Sequence, residues 1–530
     1  MKKRVIAFII AVNIMFFALY GRIFSLCVLS KNVATQSSKR EKTIHTSRGY
    51  IYDRNLTPLV NNGKNIYLCV KPHADTLAYF RSKDKSIFKK LSKGQLAISL
   101  YKEDAYIKSD NVKAIETYNR YADTTALHLI GYTDETGNGI CGIEKYFDKE
   151  LKKYGGELTV KFTTDATGGL LLNEKTEIHD KGYYDKDGII LTIDKDIQNI
   201  CEKALKESTI EKGAVVVLDC KTNEILACCS APTYARDNLY VYTKSNDSPF
   251  INRAFCAFPV GSVFKVVTGA SAIESNKFLD DFYCTGEIKK SGHVFRCSNL
   301  SGHKDTNFMH AMAQSCNPYF IELGNLSGAE ALLDTAKSLG FGNAIDFGNG
   351  YKTEAGVLPD ENELNSSASV GNLAFGQGKL TATPIQIAAL FSTIGNGGTY
   401  VTPSLIKGFA DKGGKNIYSE RHHSKTILGE KTCEIIKESL FETVENGTGK
   451  LAYSDEIQVC GKTSTAQSGQ YNNEGKEIMY CWFAGFFPKE NPQYTICVIK
   501  EDGTSGGKDC CPVFKKIAEE IYNEKIKPGD

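Results

Sequence analysis

The chain has 530 residues, of which 42% are hydrophobic and 24% charged. This is an ordinary globular composition, and the length leaves room for roughly two to four domains. The formal net charge of +2 gives no support to a nucleic-acid partner, and the sequence has no P-loop or dinucleotide fingerprint. The 17 cysteines do not suit a disulfide scaffold, which normally belongs to a small domain, so we expect most of them to be buried free thiols.

A basic tail precedes an apolar run at the N-terminus. Residues 5–20 carry no charge, and the apolar character returns after Arg22, whose side chain can reach the membrane surface. A cleaved signal peptide is the alternative, but the run is long and no clear small-residue cleavage site follows it. We therefore expect a cytoplasmic tail over residues 1–4, an uncleaved transmembrane anchor over 5–27, and the remainder of the chain outside the cell.

Two regions of different texture follow the anchor. Residues 28–190 mix short apolar segments with charge, glycine and tyrosine, and they predict a loosely built α+β module of undetermined topology. After residue 188 the pattern is regular: 194–208 has helical spacing, and a strand hairpin is expected at 213–219 and 224–231. Further strands are expected late in the chain, at 456–467, 478–488 and 493–501. Strands, then helices, then strands predict an antiparallel sheet closed by both ends of one domain.

One lysine lies among small and apolar side chains in FPVGSVFKVVTGASAIES, residues 258–275. If this stretch is helical, Ser262 and Lys265 share a face, because residues three apart are neighbours on a helix. Apolar burial lowers the pKa of a lysine, so Lys265 is a candidate base for a Ser262 nucleophile. Gly261 allows close approach of backbone or substrate. The S-x-x-K spacing alone occurs by chance in most proteins of this size and needs support.

Two further stretches supply that support. Ser315 and Asn317 enclose Cys316 in an S-C-N triplet, and Lys462 begins the run K-T-S-T on a predicted strand. S-x-x-K, an S-D-N-type triplet and K-T-G form the motif set of class A β-lactamases and penicillin-binding proteins. The three motifs occur here in that order, which is far less expected by chance than any one of them.

Beyond the motifs, residues 40–515 resemble class B penicillin-binding proteins, the monofunctional D,D-transpeptidases of peptidoglycan synthesis. The resemblance rests on SRGYIYDRN at 47–55, GYTDETGNGICGIEKYFDKEL at 131–151, AFGQGKLTATPIQIAALFSTIGNGGTYVTP at 374–403 and WFAGFFP at 482–488. These stretches are similar to the family's juxtamembrane element, a segment of its N-terminal module and two segments of its transpeptidase domain.

The resemblance implies a fold and a reaction. Residues 191–530 would form the penicilloyl-serine transferase fold, an antiparallel sheet flanked by helices. Residues 28–190 would form the α+β pedestal, or dimerisation, domain that follows one transmembrane helix in this family. The implied reaction is a pair of acyl transfers: a D-Ala-D-Ala stem peptide acylates a serine, and an amine of a neighbouring stem peptide takes the acyl group. Penicillin and other β-lactams acylate the same serine.

Catalytic roles follow from the same resemblance. Ser262 is implied as the nucleophile and Lys265 as its base. Ser315 is implied to relay the proton to the leaving amine, and Asn317 to hold the donor peptide backbone. Lys462 is implied to raise the local positive potential, keep Lys265 partly neutral and attract the substrate carboxylate.

The substrate-binding strand carries one of two departures from the family pattern. The hydroxyls of Thr463 and Thr465 are implied to contact the substrate carboxylate, and the N–H groups of Ser262 and Thr465 to form the oxyanion hole. Ser464 stands where K-T-G has glycine, and we expect its hydroxymethyl group to narrow or reshape the cleft. The proline of the Pro259–Gly261 stretch lies one place earlier than usual, so we expect a small change in that loop.

A metal site is a further candidate. Cys284, Cys297, His303 and Cys316 offer three thiolates and one imidazole, a donor set that suits tetrahedral zinc. The spacing is not that of a compact zinc knuckle, but some elongation-type relatives carry metal ligands in this region. A Cys284–Cys297 disulfide and unconnected free thiols remain alternatives. The transpeptidation chemistry itself needs no cofactor, so any zinc is expected to be structural.

Other functions remain open beside the transpeptidase. A D,D-carboxypeptidase or a serine β-lactamase would use the same motifs, although the large module before the transpeptidase domain argues against both. A non-catalytic β-lactam sensor or scaffold is kept open by Ser464. The resemblance also implies a membrane location, stem peptides and β-lactams as ligands, no nucleic acid, and a SEDS-family glycosyltransferase as the polymerising partner. The S-C-N-P run and the cysteine–histidine pattern favour an elongation or sporulation role over septation.

Overall fold

The computed structural model divides the chain into two units. Unit 1 takes its residues from 1–48, 61–122 and 155–185, and unit 2 from 49–60, 123–154 and 186–530. Residues 49–60, 123–154 and 186–190, all before the predicted domain boundary at 190, thus belong to unit 2, and the units alternate along the chain. The structure describes residues 2–25, 37–101, 107–123, 125–279, 281–411, 423–471 and 475–527.

The first helix, α1, is the apolar segment at the N-terminus. It spans Lys2–Phe24 and has no buried residue. By length and composition it can cross a membrane, a test that a signal sequence near an N-terminus also passes. The last two residues of the predicted anchor, 26 and 27, lie outside the described residues.

The regular elements follow in chain order. Up to residue 191 they are β1 (Ser38–Thr46), β2 (Tyr50–Tyr52), β3 (Gly63–Val70), α2 (Ala74–Lys83), α3 (Lys85–Leu91), β4 (Ala97–Tyr101), β5 (Val112–Asn119), α4 (Leu127–Ile130), α5 (Gly142–Tyr146), α6 (Asp148–Lys153), β6 (Glu157–Thr164), β7 (Glu177–Lys181) and β8 (Gly188–Leu191). From residue 195 to 338 they are α7 (Lys195–Glu207), β9 (Gly213–Asp219), β10 (Ile225–Ala231), α8 (Leu239–Tyr242), β11 (Phe258–Pro259), α9 (Lys265–Glu274), β12 (Tyr283–Cys284), β13 (Glu287–Lys290), β14 (His293–Arg296), β15 (Lys304–Asp305), α10 (Phe308–Ala313), α11 (Asn317–Ser327) and α12 (Ala329–Ser338). Beyond residue 338 they are α13 (Ser367–Ala374), β16 (Thr381–Ala382), α14 (Pro384–Gly395), β17 (Thr399–Val401), β18 (Ile406–Ala410), β19 (Ser424–Thr426), α15 (Glu430–Glu445), β20 (Cys460–Tyr471), β21 (Glu477–Phe487), β22 (Tyr494–Lys500), α16 (Gly506–Asp509) and α17 (Cys511–Ile521).

Unit 1 contains two three-stranded antiparallel sheets, ordered β1-β6-β7 and β4-β3-β5. Side chains of both sheets share one core, which includes Ile44, Cys69, Leu158 and Tyr183. Helices α2 and α3 pack on the β4-β3-β5 sheet, because Phe80 and its apolar neighbours bury against Val70 and Ala97 in a second core. This confirms the α+β character predicted for the module before the transpeptidase region.

The sheet of unit 2 has five antiparallel strands in the order β10-β9-β22-β21-β20. The predicted hairpin is the β9–β10 pair, and the late strands β20 to β22 complete the sheet beside β9. This confirms the expected sheet closed by both ends of one domain. The predicted strand at 456–467 begins later than expected, at Cys460, because ladder pairing with β21 starts there, opposite Phe486.

Helices cover both faces of this sheet, as the alternation of side chains requires. Val215, Val217, Ile496 and Val498 pack with the amphipathic helices α7 and α17 in one core. Thr495, on the alternate face of β22, accepts a hydrogen bond from Ser392 of the buried helix α14.

The cysteines behave largely as small apolar side chains. All 16 cysteines of the described residues are free, and all of these except Cys141 and Cys256 are buried. This confirms the expectation of buried free thiols. Cys284 and Cys297 form no disulfide in this structure.

Candidate active site

A cleft of ≈ 860 Å³ in unit 2 brings the predicted motifs together. Its lining includes residues from all three motifs: Ser262, Ser315, Asn317, Thr463, Ser464 and Thr465. Lys265 and Lys462 are fully buried beneath this lining, each at 0% exposure. The structure therefore gathers residues that are up to about 200 positions apart in the chain, as the motif set requires.

The nucleophile segment changes conformation between Gly261 and Lys265. Residues Gly261–Phe264 form a 3₁₀ turn, and the α-helix α9 begins at Lys265. Gly261 has φ +63°, in the left-handed region that suits glycine. Ser262 is half-buried on the cleft, while the first nine residues of α9, from Lys265 to Ile273, are buried. The predicted helix is present, but the serine lies in the 3₁₀ turn at its start.

Lys265 joins the nucleophile segment to the S-C-N triplet. Its Nζ donates to Ser315 O at 2.7 Å, to Ser315 Oγ at 3.1 Å and to Asn317 Oδ1 at 2.7 Å. Burial lowers the pKa of Lys265 to about 7, although the nearby sulfurs of Cys316 and Cys297 act in the opposite direction. An amine with this pKa is partly neutral at neutral pH and can accept a proton.

The S-C-N triplet forms a tight turn between α10 and α11. Ser315 has φ +56°, a left-handed conformation that is uncommon for a residue with a Cβ. Pro318 occupies the start of α11, where its missing N–H is not needed. The Asn317 side chain is fixed at both ends, because its Oδ1 accepts from Lys265 and its Nδ2 donates to Arg296 O at 3.0 Å.

Lys462 lies at the start of strand β20, on the buried side. Burial lowers its pKa well below the usual value, and the charge of Lys265 lowers it further. The sequence predicted that Lys462 keeps Lys265 partly neutral. In the structure, burial is the first cause of the low pKa of Lys265 itself. Lys462 Nζ donates to Thr463 O at 3.2 Å.

The hydroxyls of Thr463 and Thr465 line the cleft and already have partners. Thr463 Oγ1 lies 2.7 Å from Thr448 Oγ1, and Thr465 Oγ1 accepts from Gly506 N at 3.2 Å. Thr448 and Gly507 also line the cleft, and the sequence analysis did not single them out. A threonine between two glycines in the run N-G-T-G, just after helix α15, was the available signal for Thr448.

The hydroxyl of Ser464 is used within the protein. The side chain is 2% exposed, and its Oγ donates to Val260 O at 2.9 Å. The hydroxymethyl group thus contacts the loop before Ser262. The sequence predicted that this group would narrow or reshape the cleft.

The four predicted metal ligands form a cluster next to the cleft. The side-chain donor atoms of Cys284, Cys297, His303 and Cys316 all lie within 4.8 Å of one another. His303 Nδ1 is 3.8 Å from Cys284 Sγ and 3.4 Å from Cys297 Sγ. The three cysteines are buried, on the short strand β12, after β14 and between α10 and α11.

The cluster and the active site share a residue of the S-C-N triplet, because Cys316 lies between Ser315 and Asn317. A hydrogen bond from the Cys316 thiol lowers the pKa of Cys297 to about 4, and backbone N–H groups of Asn299 and Asn317 favour the same thiolate. The pKa of Cys316 is raised by the same contact. The Cys297 sulfur thus accepts hydrogen bonds from the Cys316 thiol and from the backbone N–H of Asn317.

Comparisons with known proteins place the residues of this cleft within a known family domain. The family model described as the penicillin binding protein transpeptidase domain matches residues 213–519. The chain is 28% identical over 541 residues to stage V sporulation protein D of Bacillus subtilis, covering 94% of this chain and 81% of that protein.

Solved structures show the same fold. Penicillin binding protein 3 of Mycobacterium tuberculosis, complexed with ampicillin, aligns with a TM-score of 0.67 and 22% identity, covering 93% of this chain and 98% of that one. A chain from a peptidoglycan synthase complex that couples polymerization and crosslinking aligns with a TM-score of 0.70 and 21% identity, covering 98% and 99% of the two chains.

Proposed function

The chain belongs to the penicillin-binding protein transpeptidase family, and from this premise we propose how its site works. It cross-links peptidoglycan stem peptides by D,D-transpeptidation through an acyl-serine intermediate, and it binds penicillin at the same serine. One observation carries the assignment of roles: fully buried Lys265, with a pKa near 7, links Ser315 and Asn317 directly beneath the cleft that Ser262 lines.

Acylation begins with proton transfer. Neutral Lys265 accepts the proton of the Ser262 hydroxyl, and the serine oxygen attacks the carbonyl carbon of the penultimate D-Ala. The N–H groups of Ser262 and Thr465 stabilise the tetrahedral oxyanion. The intermediate collapses, the peptide bond breaks, and the proton passes from Lys265 through Ser315 Oγ, 3.1 Å from Nζ, to the leaving D-Ala amine. The acyl group is now an ester of Ser262.

Recognition and the second transfer use the other side of the cleft. Thr463 and Thr465 bind the substrate carboxylate. Thr448, whose hydroxyl lies next to that of Thr463, provides a third hydroxyl group beside them. Lys462 lies fully buried beneath the cleft, and Asn317 aligns the donor peptide backbone. The amine of a second stem peptide then attacks the ester, gives up its proton to the Lys265–Ser315 pair, and frees Ser262. Each step uses protein groups, as is general for this family, and requires no cofactor.

The location and partners follow from the family and from helix α1. We assign α1 as a single membrane anchor with residues 1–4 in the cytoplasm and the catalytic unit outside. A monofunctional transpeptidase needs a glycan-polymerising partner, and we assign a SEDS-family glycosyltransferase to that role. The similarity to a chain of a peptidoglycan synthase complex supports this assignment.

The cysteine–histidine cluster is proposed as a structural zinc site. Zn–S bonds of about 2.3 Å and Zn–N bonds of about 2.0 Å place sulfur and nitrogen about 3.5 Å apart in a tetrahedron. The observed separations from His303 Nδ1, 3.4 Å to Cys297 and 3.8 Å to Cys284, fit that geometry. The donor set of three buried thiols and one imidazole is also the chemistry that zinc prefers. Cys284, Cys297, His303 and Cys316 would hold the ion and fix the S-C-N turn.

Metal analysis of the purified full-length chain tests the zinc site. We expect one zinc per chain, and its loss in a Cys284→Ala variant. Cys433→Ala is the matched control, because Cys433 is equally buried and free but lies on helix α15, outside the cluster. A parent chain without zinc after expression in zinc-supplemented medium contradicts the proposal.

Labelled penicillin tests the catalytic assignment. The full-length chain in detergent is compared with Ser262→Ala, and adduct mass is followed over time. Ser271→Ala is the matched control, because Ser271 is a buried serine on the adjoining helix α9. We expect a long-lived adduct in the parent and in Ser271→Ala, and none in Ser262→Ala.

Other outcomes identify the rivals. An adduct that forms and is hydrolysed within seconds identifies a β-lactamase or carboxypeptidase. If penicillin gives no adduct, a D-Ala-D-Ala thioester is offered to the same chain. Turnover of that thioester identifies a transpeptidase that β-lactams do not reach, and its absence identifies a non-catalytic protein.

A further inference from the structure

Ser464 and Trp482 hold two consecutive carbonyl groups of the loop before the nucleophile. Ser464 Oγ donates to Val260 O, and Trp482 Nε1 donates to Pro259 O, each at 2.9 Å. Ser464 and Trp482 are directly opposite each other in the register of β20 and β21. We call these four residues the loop clamp. A cross-strand pair thus fixes the backbone two and three residues before Ser262.

The loop clamp is closely fitted to Gly261. A Cβ on Gly261 would lie 2.4 Å from Ser464 Oγ, so the hydroxyl of Ser464 occupies the space that the missing side chain leaves. Gly261 also has φ +63°, and its N–H donates to Gly376 O at 2.8 Å. The serine therefore fits only because residue 261 is glycine, and it contributes a hydrogen bond that a glycine at 464 could not make.

The two departures from the family pattern meet at this contact. One is serine in place of the glycine of K-T-G. The other is the shifted proline, which leaves Val260 directly before Gly261. The carbonyl that accepts the Ser464 hydrogen bond is that of Val260 itself. Two changes that are about 200 residues apart in sequence are thus one interaction in the folded chain.

We propose that Ser464 is a positioning residue for the transpeptidase reaction. It acts through Val260 and Gly261, holding the 3₁₀ turn so that Ser262 is presented to the substrate carbonyl with its proton near Lys265. Its hydroxyl is already hydrogen-bonded to Val260 O, and the side chain is only 2% exposed. The proposal rests on the proposed function, because its kinetic consequence is measured as acylation of Ser262. A misplaced nucleophile slows the chemical step with little effect on binding.

The contrary hypothesis is that Ser464 restricts the cleft. In that case removal of the hydroxymethyl group widens the cleft and speeds acylation or tightens penicillin binding. The loop clamp predicts slower acylation, because removal of the Ser464 hydroxyl leaves the Val260 carbonyl without this hydrogen bond and loosens the turn. The two hypotheses are therefore separated by the direction of one rate change.

The experiment uses full-length Ser464→Ala and Ser464→Gly chains with labelled penicillin. We expect the acylation rate constant at saturating penicillin to fall about tenfold in both variants, with the half-saturating concentration within about twofold of the parent. Ser439→Ala is the matched control: it removes a buried hydroxyl that donates to a backbone carbonyl at 2.8 Å within helix α15, and it should leave both constants unchanged.

Hydrogen–deuterium exchange supplies a readout that does not depend on catalysis. In Ser464→Ala, amides of residues 258–264 should exchange faster than in the parent, while helix α15 is unchanged. If the parent chain never acylates but Ser464→Ala still exchanges faster than the parent over residues 258–264, the proposed function fails and the loop clamp stands. Unchanged exchange, or acylation at the parental rate or above, overturns the positioning role.

Discussion

Two segments line the cleft and are held by different means. The nucleophile segment, residues 258–265, is fixed at its backbone by neutral groups: the side chains of Ser464 and Trp482 donate to its carbonyl groups, and the N–H of Gly261 donates to Gly376 O. The S-C-N turn, residues 315–317, is fixed by side chains, with Lys265 on one side and the cysteine–histidine cluster on the other. The first arrangement depends on neutral hydrogen bonds, two of them from the paired strands β20 and β21, whereas the second depends on ionisable groups. The two halves of the site should therefore respond to different perturbations.

Lys265 joins the two segments through three hydrogen bonds, so its replacement should have the largest effect. In Lys265→Met we expect acylation by penicillin to fall about a thousandfold, the range that loss of a general base produces. Burial of an ammonium group opposes folding, so the melting temperature should stay the same or rise. Stopped-flow acylation and thermal unfolding check the two parts. Acylation within tenfold of the parent would show that another group accepts the proton of Ser262.

The S-C-N turn should be selectively sensitive to its sulfur cluster. In Cys297→Ala we expect acylation to fall by between about ten- and a hundredfold, because the Cys297 sulfur accepts a hydrogen bond from the backbone N–H of Asn317. Cys433→Ala, used as the control, should not change the rate. A Ser464→Ala, Cys297→Ala double variant sharpens the comparison: if the two segments are independently held, the free-energy effects of the two substitutions add.

The pH dependence of acylation reports on the base that links the segments. The pKa of Lys265 in the folded chain, about 7, is depressed from its ordinary value of 10.5, and only the neutral amine accepts a proton. The acylation rate should therefore rise with pH, by about tenfold between pH 6 and pH 8. A pH series of saturating acylation rates checks this. A rate that falls over the same interval would contradict neutral Lys265 as the base.

The smallest expected effect lies at the far wall of the cleft, outside both segments. Thr448→Val keeps the side-chain shape but removes the hydroxyl that lies 2.7 Å from Thr463 Oγ1. We expect a two- to threefold loss of acylation efficiency, about what a single neutral hydrogen bond provides, carried by weaker binding. Titration of the acylation rate against penicillin concentration measures this. A loss of more than thirtyfold would place Thr448 in the catalytic machinery.

The sequence predicted those features that depend on residue type and order. The three motifs predicted that Ser262, Lys265 and Asn317 come together, and the alternating apolar runs predicted the hairpin and the late strands of the sheet. These signals are local, so they survive without knowledge of the tertiary structure.

Features that depend on register could not be predicted. The sequence K-T-S-T does not itself indicate that Ser464 lies opposite Trp482. It also does not indicate that the Ser464 hydroxyl bonds to Val260, which is 204 positions away in the chain. The hydrogen-bond partner of Thr463 could not be predicted for the same reason, since Thr448 belongs to the loop after α15. The alternation of the two units along the chain likewise depends on long-range contacts, for which the poorly periodic residues before 190 gave no signal.

The loop clamp has a practical consequence, because Trp482 is the single tryptophan of the chain. Its indole is fully buried, lies against Phe258 and donates a hydrogen bond to Pro259 O in the loop before Ser262. Ultraviolet emission of the whole protein in the tryptophan band therefore comes from one fluorophore that is hydrogen-bonded to the loop before Ser262. The intrinsic fluorescence of the unlabelled chain therefore reports on this loop. Compounds that occupy the cleft and disturb the loop can be detected by the change in that fluorescence.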